Sequence, residues 1–173
     1  MKTKLFSTQF IFVVSLIILA VVSRLLPHLP NFTPLAAIAL FGGALIPRKS
    51  LAYLVPLVVL LISDIIIGLH VTMIAVYACL IFTVALGTWV RKNMNTVNVM
   101  AMTLVSSVVF YLVTNFAVWM TGMVGYPMNL GGLVDSYIAA IPFFRWELLG
   151  NLFYVTVFFG SYALVKSRTK LFA

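Results

Sequence analysis

Charge is scarce in this chain. Charged residues make up 8% of its 173 residues and hydrophobic residues make up 64%, whereas soluble domains carry about 25% charge. This shortage excludes an ordinary soluble domain and predicts an all-α integral membrane protein. No polar segment is long enough to form a separate soluble domain, so residues 1–173 are expected to form a single transmembrane domain.

The chain also has few groups for metal or nucleotide chemistry. Its single cysteine cannot form an internal disulfide, and one cysteine with two histidines lacks the paired ligand spacing of a zinc site. No G-x-x-x-x-G-K-[ST] sequence is present, so we expect no ATP hydrolysis by a phosphate-binding loop. Any transport would be passive, would depend on trapping of the solute downstream, or would be powered by a partner. We expect the protein to have no cofactor of its own.

The apolar runs predict about six transmembrane helices. These runs are Phe6–Val22, Leu35–Ile46, Leu51–Ile67, Met73–Val90, Val97–Met120 and Tyr137–Val165. The first run is predicted to be a retained helix rather than a signal peptide, because no small-x-small cleavage site follows it.

Prolines and glycines mark the expected interruptions. Pro27, Pro30 and Pro34 predict an ordered loop after the first run, because proline removes a backbone donor and fixes a dihedral angle. The glycine-rich segment Thr121–Ser136 is typical of a loop. Pro142 is expected to bend or break the last run.

The basic residues predict an orientation through the positive-inside rule. With both termini cytoplasmic, nine of the eleven lysines and arginines lie inside, and only Arg24 and Arg145 lie outside. Because the charges flank apolar runs, this orientation explains the net charge of +8 better than nucleic-acid binding does. All three acids and both histidines then lie near the outer face, which predicts an outward-facing site.

Asp64 and Cys79 lie inside apolar runs of a predicted helical hairpin whose turn is Gly68–His70. An ionisable residue within a span usually faces a cavity or a partner helix. Cys79 lies nine residues beyond His70 and would be about 13 Å deep. We therefore expect Cys79 at the floor of an outward pocket that Asp64 and Arg145 line.

Aromatic side chains near these residues favour a large, partly apolar solute with polar edges. They are Tyr77, Trp119, Phe143, Phe144 and Trp146. The other two acids, Asp135 and Glu147, are expected to be peripheral.

Each candidate also has a structural interpretation. A lone cysteine in a membrane helix, such as Cys79, more often packs than ligates. Asp64 and Arg145 fit a structural ion pair as well as solute binding. His28 lies between prolines and is a weaker candidate for the site, while His70 fits an interfacial turn.

Four stretches resemble a known family of small bacterial membrane proteins, the BtuM-type cobalamin transporters. They are RLLPHLPNFTPLAAIALFGG, SDIIIGLH, TNFAVW and AAIPFFRWELLGN, and the resemblance covers most of the chain after Arg24. That family is similar to the S-components of energy-coupling factor (ECF) vitamin transporters, six-helix proteins that capture a vitamin at the outer face. The resemblance implies an ECF S-component-like bundle in the bacterial cytoplasmic (inner) membrane, with cobalamin as its substrate.

The same resemblance implies roles for individual residues. Cys79 would bind the cobalt of the corrin, and a thiolate is a suitable donor for cobalt. His28, Asp64, Tyr77 and Arg145 would complete the substrate site. Ala20 is the one alanine in the first predicted helix, so the Ala-x-x-x-Ala docking motif of typical S-components is missing. Coupling to an ECF-type energising module therefore stays open.

Three functions follow from these observations. The first is cobalamin binding and uptake with Cys79 as axial cobalt ligand, in which displacement of cyanide from cobalt would be a limited chemical activity. The second is binding or transport of another vitamin-like solute, with Cys79 only packing. The third, a membrane enzyme with Cys79 as nucleophile, ranks last because no base beside the thiol is evident.

Overall fold

The helices of the chain end where its apolar runs end. The computed structural model describes residues 31–168, together with helical residues 11, 13–15, 17–19 and 22 nearer the amino terminus. Within the continuous part the helices are α1 (Leu35–Leu45), α2 (Lys49–Ile67), α3 (Met73–Val90), α4 (Thr96–Met120) and α5 (Leu130–Arg168), and a 3₁₀ turn (Arg91–Asn93) follows α3.

Four of these helices, α2 to α5, are long and apolar enough to cross a membrane. They confirm the prediction of an all-helical membrane protein. The predicted number of six spans is not confirmed, because α1 is only about 16 Å long at 1.5 Å per residue, and much of Phe6–Val22 lies outside the described residues. The ECF S-component-like bundle stays a prediction.

The predicted helical hairpin is confirmed. Helix α2 ends at Ile67 and α3 begins at Met73. Gly68 lies between them with a φ of 117°, a backbone conformation that favours glycine because a side chain would be strained there. The turn therefore brings the ends of two membrane-crossing helices together.

Helix α1 lies at the centre of the bundle, and every one of its residues after Leu35 is buried. It crosses α3 where Gly43 meets Gly87. A Cβ atom added at Gly43 would overlap the carbonyl oxygen of Val84, and one added at Gly87 would overlap the carbonyl oxygen of Leu40. The two helices therefore pack backbone against backbone, as small residues in membrane helices permit.

Arg91 closes the carboxyl end of α1. Its guanidinium donates to the carbonyl oxygens of Ala44 at 3.1 Å and Pro47 at 3.0 Å, and also to those of Gly43 and Ile46. The last carbonyls of a helix lack partners within the helix, so this one side chain satisfies groups that would otherwise be exposed to an apolar environment.

Basic residues from several helices collect at this end of the bundle, which we call the basic end. They are Arg48, Lys49, Arg91, Lys92, Lys166 and Arg168. The antiparallel order of the helices places the turn between α2 and α3 and the loop between α4 and α5 at the opposite end. The grouping agrees with the predicted sidedness of the charges, whereas the location of the termini stays a prediction.

The loop predicted at Thr121–Ser136 is too long. Helix α5 begins at Leu130, because the Asn129 side chain accepts a hydrogen bond from the Gly132 amide at 2.9 Å and caps the first turn. Gly132 also packs against the Pro127 carbonyl, where a Cβ would overlap. Helix α5 then continues through Pro142, so of the bend or break that we expected there, the break does not occur.

Candidate functional site

A cavity of about 260 Å³ lies at the end of the bundle opposite the basic end. Helices α3, α4 and α5 and the segment before α1 contribute its walls. Its described lining residues are Asn31, Thr72, Val76, Phe110, Tyr111, Thr114, Asn115, Val118, Ala140, Phe143, Phe144 and Glu147. A smaller cavity of about 50 Å³ shares Asn31, Phe110 and Glu147 with it.

Glu147 is the one charged side chain among the described residues that line this cavity, and it is only 7% exposed. Asn151, one turn further along α5, donates from Nδ2 to Glu147 Oε1 and to Ser107 Oγ on α4, the latter at 3.0 Å. Within the described part of the chain, Glu147 Oε2 and Asn151 Oδ1 have no hydrogen-bond partner. The expectation that Glu147 is peripheral is therefore wrong, whereas Asp135 is exposed as expected.

A close backbone contact places Asn31 beside Glu147. The segment before α1 crosses α5 at Gly150, where an added Cβ would lie 3.2 Å from Phe32 Cα. Asn31 has a φ of 61°, which asparagine tolerates better than most residues. The glycine and this turn let the loop lie directly against α5.

Aromatic rings form one wall of the cavity. The Tyr111 and Phe144 rings have centroids 4.8 Å apart, and Phe143 also lines the cavity. The sequence pointed to Phe143 and Phe144 as aromatic surface near the site, and the structure places both there. Trp119 instead donates from Nε1 to the Pro127 carbonyl at 2.9 Å, so it stabilises the loop between α4 and α5.

Cys79 is buried, with 3% of its surface exposed. Val76 lines the cavity, and Cys79 lies three residues further along α3, about 4.5 Å deeper at 1.5 Å per residue. Cys79 is not among the described residues that line the cavity. It therefore lies behind the cavity wall, between the cavity and the core.

Asp64 and Tyr77 lie on the hairpin. Asp64 is 1% exposed, and its carbonyl oxygen accepts the Gly68 amide at 2.8 Å at the end of α2. Tyr77 is partly buried against the hydrophobic core. Neither is among the described residues that line the cavity.

Arg145 is exposed on α5, and its guanidinium lies 5.9 Å from the Trp146 ring centroid. In the described part of the chain no ion pair joins it to the buried Asp64, so the predicted structural pair does not form. Arg145 is also not among the described cavity-lining residues. His28 lies outside the described residues.

A larger cavity of about 660 Å³ lies at the basic end, between the start of α4 and the end of α5. Its lining is mostly apolar, with Lys166 and Ser167 at its edge, and includes no acid, histidine or cysteine among the described residues. Size alone would favour this cavity. The smaller cavity is the better candidate because polar and aromatic groups converge there around a buried carboxylate.

No three histidine, cysteine, aspartate or glutamate side chains converge to hold a metal ion within the described ranges. The predicted contact with cobalt therefore depends on Cys79 alone among these residues. A single protein ligand to a corrin-bound metal would need no such cluster, because the corrin ring itself supplies the equatorial donors.

Comparison with known proteins assigns the chain to a family but not to a function. No curated protein and no solved structure matches it. Residues 4–172 match the model of DUF6580, described as a family of unknown function. The chain therefore belongs to the DUF6580 family.

Proposed function

We propose that this protein binds a solute in the Glu147 cavity and takes part in its uptake across the membrane. The observation that carries this proposal is a buried carboxylate in a cavity enclosed by membrane-crossing helices. An ionisable residue in a membrane span is costly and usually marks a functional site. The hydrogen-bonding groups and aromatic wall around Glu147 fit a solute with both polar and apolar surface.

We propose cobalamin as this solute, with Cys79 as an axial ligand of its cobalt. The sequence resemblance supports the choice of substrate. The position of the thiol supports the choice of ligand, because Cys79 lies about one helical turn beyond the cavity-lining Val76. A cavity of about 260 Å³ is smaller than the roughly 300–1,000 Å³ of most small-molecule sites. The proposal therefore requires the cavity to widen and the wall at Val76 to move.

The chemistry proposed at Cys79 is a ligand exchange without oxidation or reduction. The thiol loses its proton, the sulfur forms a bond to cobalt(III), and the bond between cobalt and cyanide breaks. The released cyanide takes up the proton and leaves as hydrogen cyanide. Cyanide binds cobalt(III) strongly, so the exchange depends on departure of the released hydrogen cyanide from the site.

The proposal places the protein in the bacterial cytoplasmic membrane with both termini in the cytoplasm and the Glu147 cavity facing out. Uptake is driven by a partner or by trapping of the solute downstream, since the chain has no phosphate-binding loop. An ECF-type module is one such partner. The missing Ala-x-x-x-Ala motif means that any docking would use another surface.

A second candidate is a transporter for a different vitamin-like solute in which Cys79 only packs. The burial of Cys79 favours this alternative, because the thiol is 3% exposed and lies behind the cavity wall. A small, weakly polar cysteine packs well in such a position.

Titration of cyanocobalamin into the purified protein separates the two candidates. We expect the wild type to change the visible spectrum of the corrinoid and to release cyanide, and Cys79→Ser to do neither. Ala78→Ser, which adds a hydroxyl at the exposed neighbouring position of α3, is the matched control and should behave like the wild type. Equal spectra and affinities for wild type and Cys79→Ser would favour the packing role. Absence of binding to the wild type would overturn the choice of cobalamin.

A further inference from the structure

The hydrogen bonds around Glu147 indicate what kind of group its cavity recognises. Asn151 Nδ2 donates to Glu147 Oε1 and to Ser107 Oγ, so the amide hydrogens of Asn151 are in use. Glu147 Oε2 and Asn151 Oδ1 are buried acceptors that no donor reaches among the described residues. A buried acceptor without a donor is costly. The site therefore lacks a donor, and not an acceptor.

Three more polar side chains of the cavity wall donate to backbone carbonyls. Thr114 Oγ1 donates to the Phe110 carbonyl at 2.7 Å, and Asn115 Nδ2 donates to the Tyr111 carbonyl at 2.8 Å. Tyr111 donates its hydroxyl hydrogen to the Tyr137 carbonyl at 2.7 Å. Thr114 and Tyr111 thereby use the single donor hydrogen that each has, whereas Asn115 keeps its second amide hydrogen. The side-chain oxygen atoms of all three stay available as acceptors.

No basic side chain among the described residues compensates Glu147. None of the described residues that line either cavity is a lysine, arginine or histidine, and Arg145, two residues before Glu147, is exposed and lies over Trp146. The carboxylate is instead held in place by Asn151 and Ser107. Such preorganisation lowers the ordering cost when a ligand binds.

We infer that the cavity recognises its solute through N–H donors, with Glu147 as the principal acceptor, and that it rejects anionic groups. This inference deepens the proposed function and rests on it. Cobalamin carries primary carboxamides around its corrin ring, and one of these amides would donate to Glu147 Oε2. A carboxylate at the same place would instead oppose the charge of Glu147, for which the described lining residues offer no compensating basic side chain.

The test compares cyanocobalamin with its monocarboxylic acid derivatives, in which a single side-chain amide has been hydrolysed. We expect the wild type to bind at least one of these derivatives about tenfold to a hundredfold more weakly than the parent, as for loss of a hydrogen bond to a charged group. Glu147→Gln should lose most of this discrimination, because the glutamine amide can donate to a carboxylate. Asp135→Asn removes an exposed acid from the same helix and should keep the wild-type preference.

Each outcome of this experiment supports or overturns the inference. If the wild type binds the parent and every derivative with equal affinity, the inference is overturned while the proposed function stands. The same holds if folded Glu147→Gln keeps the wild-type preference for the parent. If no corrinoid binds the wild type, the choice of cobalamin fails and the inference about its amides fails with it. If Glu147→Gln does not fold, the wild-type comparison still decides. A last control compares the unfolding temperature in sodium chloride with that in choline chloride. If sodium chloride gives the higher temperature for the wild type but not for Glu147→Gln, Glu147 holds a cation and the inference is wrong.

Discussion

The hydroxyl groups of Tyr111 and Tyr137 link α4 and α5 in opposite directions. The Tyr111 hydroxyl donates to the Tyr137 carbonyl at 2.7 Å, and the Tyr137 hydroxyl donates to the Leu112 carbonyl at 2.9 Å. Their ring centroids are 5.6 Å apart. Because Tyr111 lines the Glu147 cavity, this pair fixes one wall of the proposed binding site.

Removal of either hydroxyl should destabilise the protein modestly. We expect Tyr137→Phe to lower the free energy of unfolding by about 0.6–1 kcal/mol, as measured for single hydrogen bonds in membrane and soluble proteins. Tyr111→Phe should lower it by a similar amount. It should also weaken solute binding, because the lost hydroxyl hydrogen bond holds in place a ring that lines the cavity. Unfolding in detergent measures the first effect. Tyr126→Phe is the control, because no hydrogen bond of the Tyr126 hydroxyl is found among the described residues, and an equal loss there would contradict the prediction.

The crossing of α1 and α3 should tolerate no side chain at Gly87. We expect Gly87→Ala to lower stability by about 1–3 kcal/mol, the usual cost of overpacking, because its Cβ would overlap the Leu40 carbonyl. Gly160→Ala on α5 is the matched control, since nothing lies within 4 Å of the added Cβ. Thermal unfolding of both variants in the same detergent tests the prediction, which fails if the two midpoints agree.

Arg91 should not be replaceable by lysine. The guanidinium donates to four carbonyl oxygens at the end of α1, whereas an ammonium is a compact charge with three donors. We expect Arg91→Lys and Arg91→Ala both to lower stability by about 2 kcal/mol or more, since hydrogen bonds to charged groups are the stronger ones. Lys92→Ala, at the exposed next position, should be nearly neutral. Recovery of wild-type stability by lysine would show that charge alone suffices.

Most helix boundaries were predictable because apolar runs stop at charged residues, glycine or proline. The predicted run Met73–Val90 is α3, and Val97–Met120 differs from α4 by one residue at its start. The start of α5 was missed because Gly131 and Gly132 are typical of loops, whereas the Asn129 cap and the contact of Gly132 with Pro127 stabilise a helix there.

The chemistry of the site was harder to predict than its location. Polar residues near the predicted outer end of the hairpin indicated the end of the bundle at which the Glu147 cavity lies. Glu147 was missed because its burial depends on α4 and on the loop that crosses Gly150, neither of which a single sequence reveals. Its spacing of four residues from Asn151 was an available signal, since side chains at this spacing lie on the same helix face.

The orientation of the protein can be tested with reporter fusions. Six described basic residues lie at the basic end of the bundle, and the positive-inside rule places that end in the cytoplasm. We expect a fusion after Ala173 to report a cytoplasmic location and a fusion in the loop between α4 and α5 to report the outside. The opposite pattern would turn the Glu147 cavity toward the cytoplasm and remove its role in capture from outside.

Asp64 and Asp135 offer a matched comparison of a buried and an exposed carboxylate. Asp64 is 1% exposed on a membrane-crossing helix, whereas Asp135 is exposed in the first turns of α5. Conversion to asparagine removes the charge in both cases with little change in volume. We expect Asp64→Asn to lower the free energy of unfolding by about 1–3 kcal/mol, because buried polar groups depend on their partners. Asp135→Asn should change it by no more than about 0.5 kcal/mol.

Unfolding curves and retention of bound corrinoid, both measured in the same detergent, test this comparison. Equal stability and equal retention for the two variants would mean that the depth of Asp64 in the bundle has no consequence for folding or for the site.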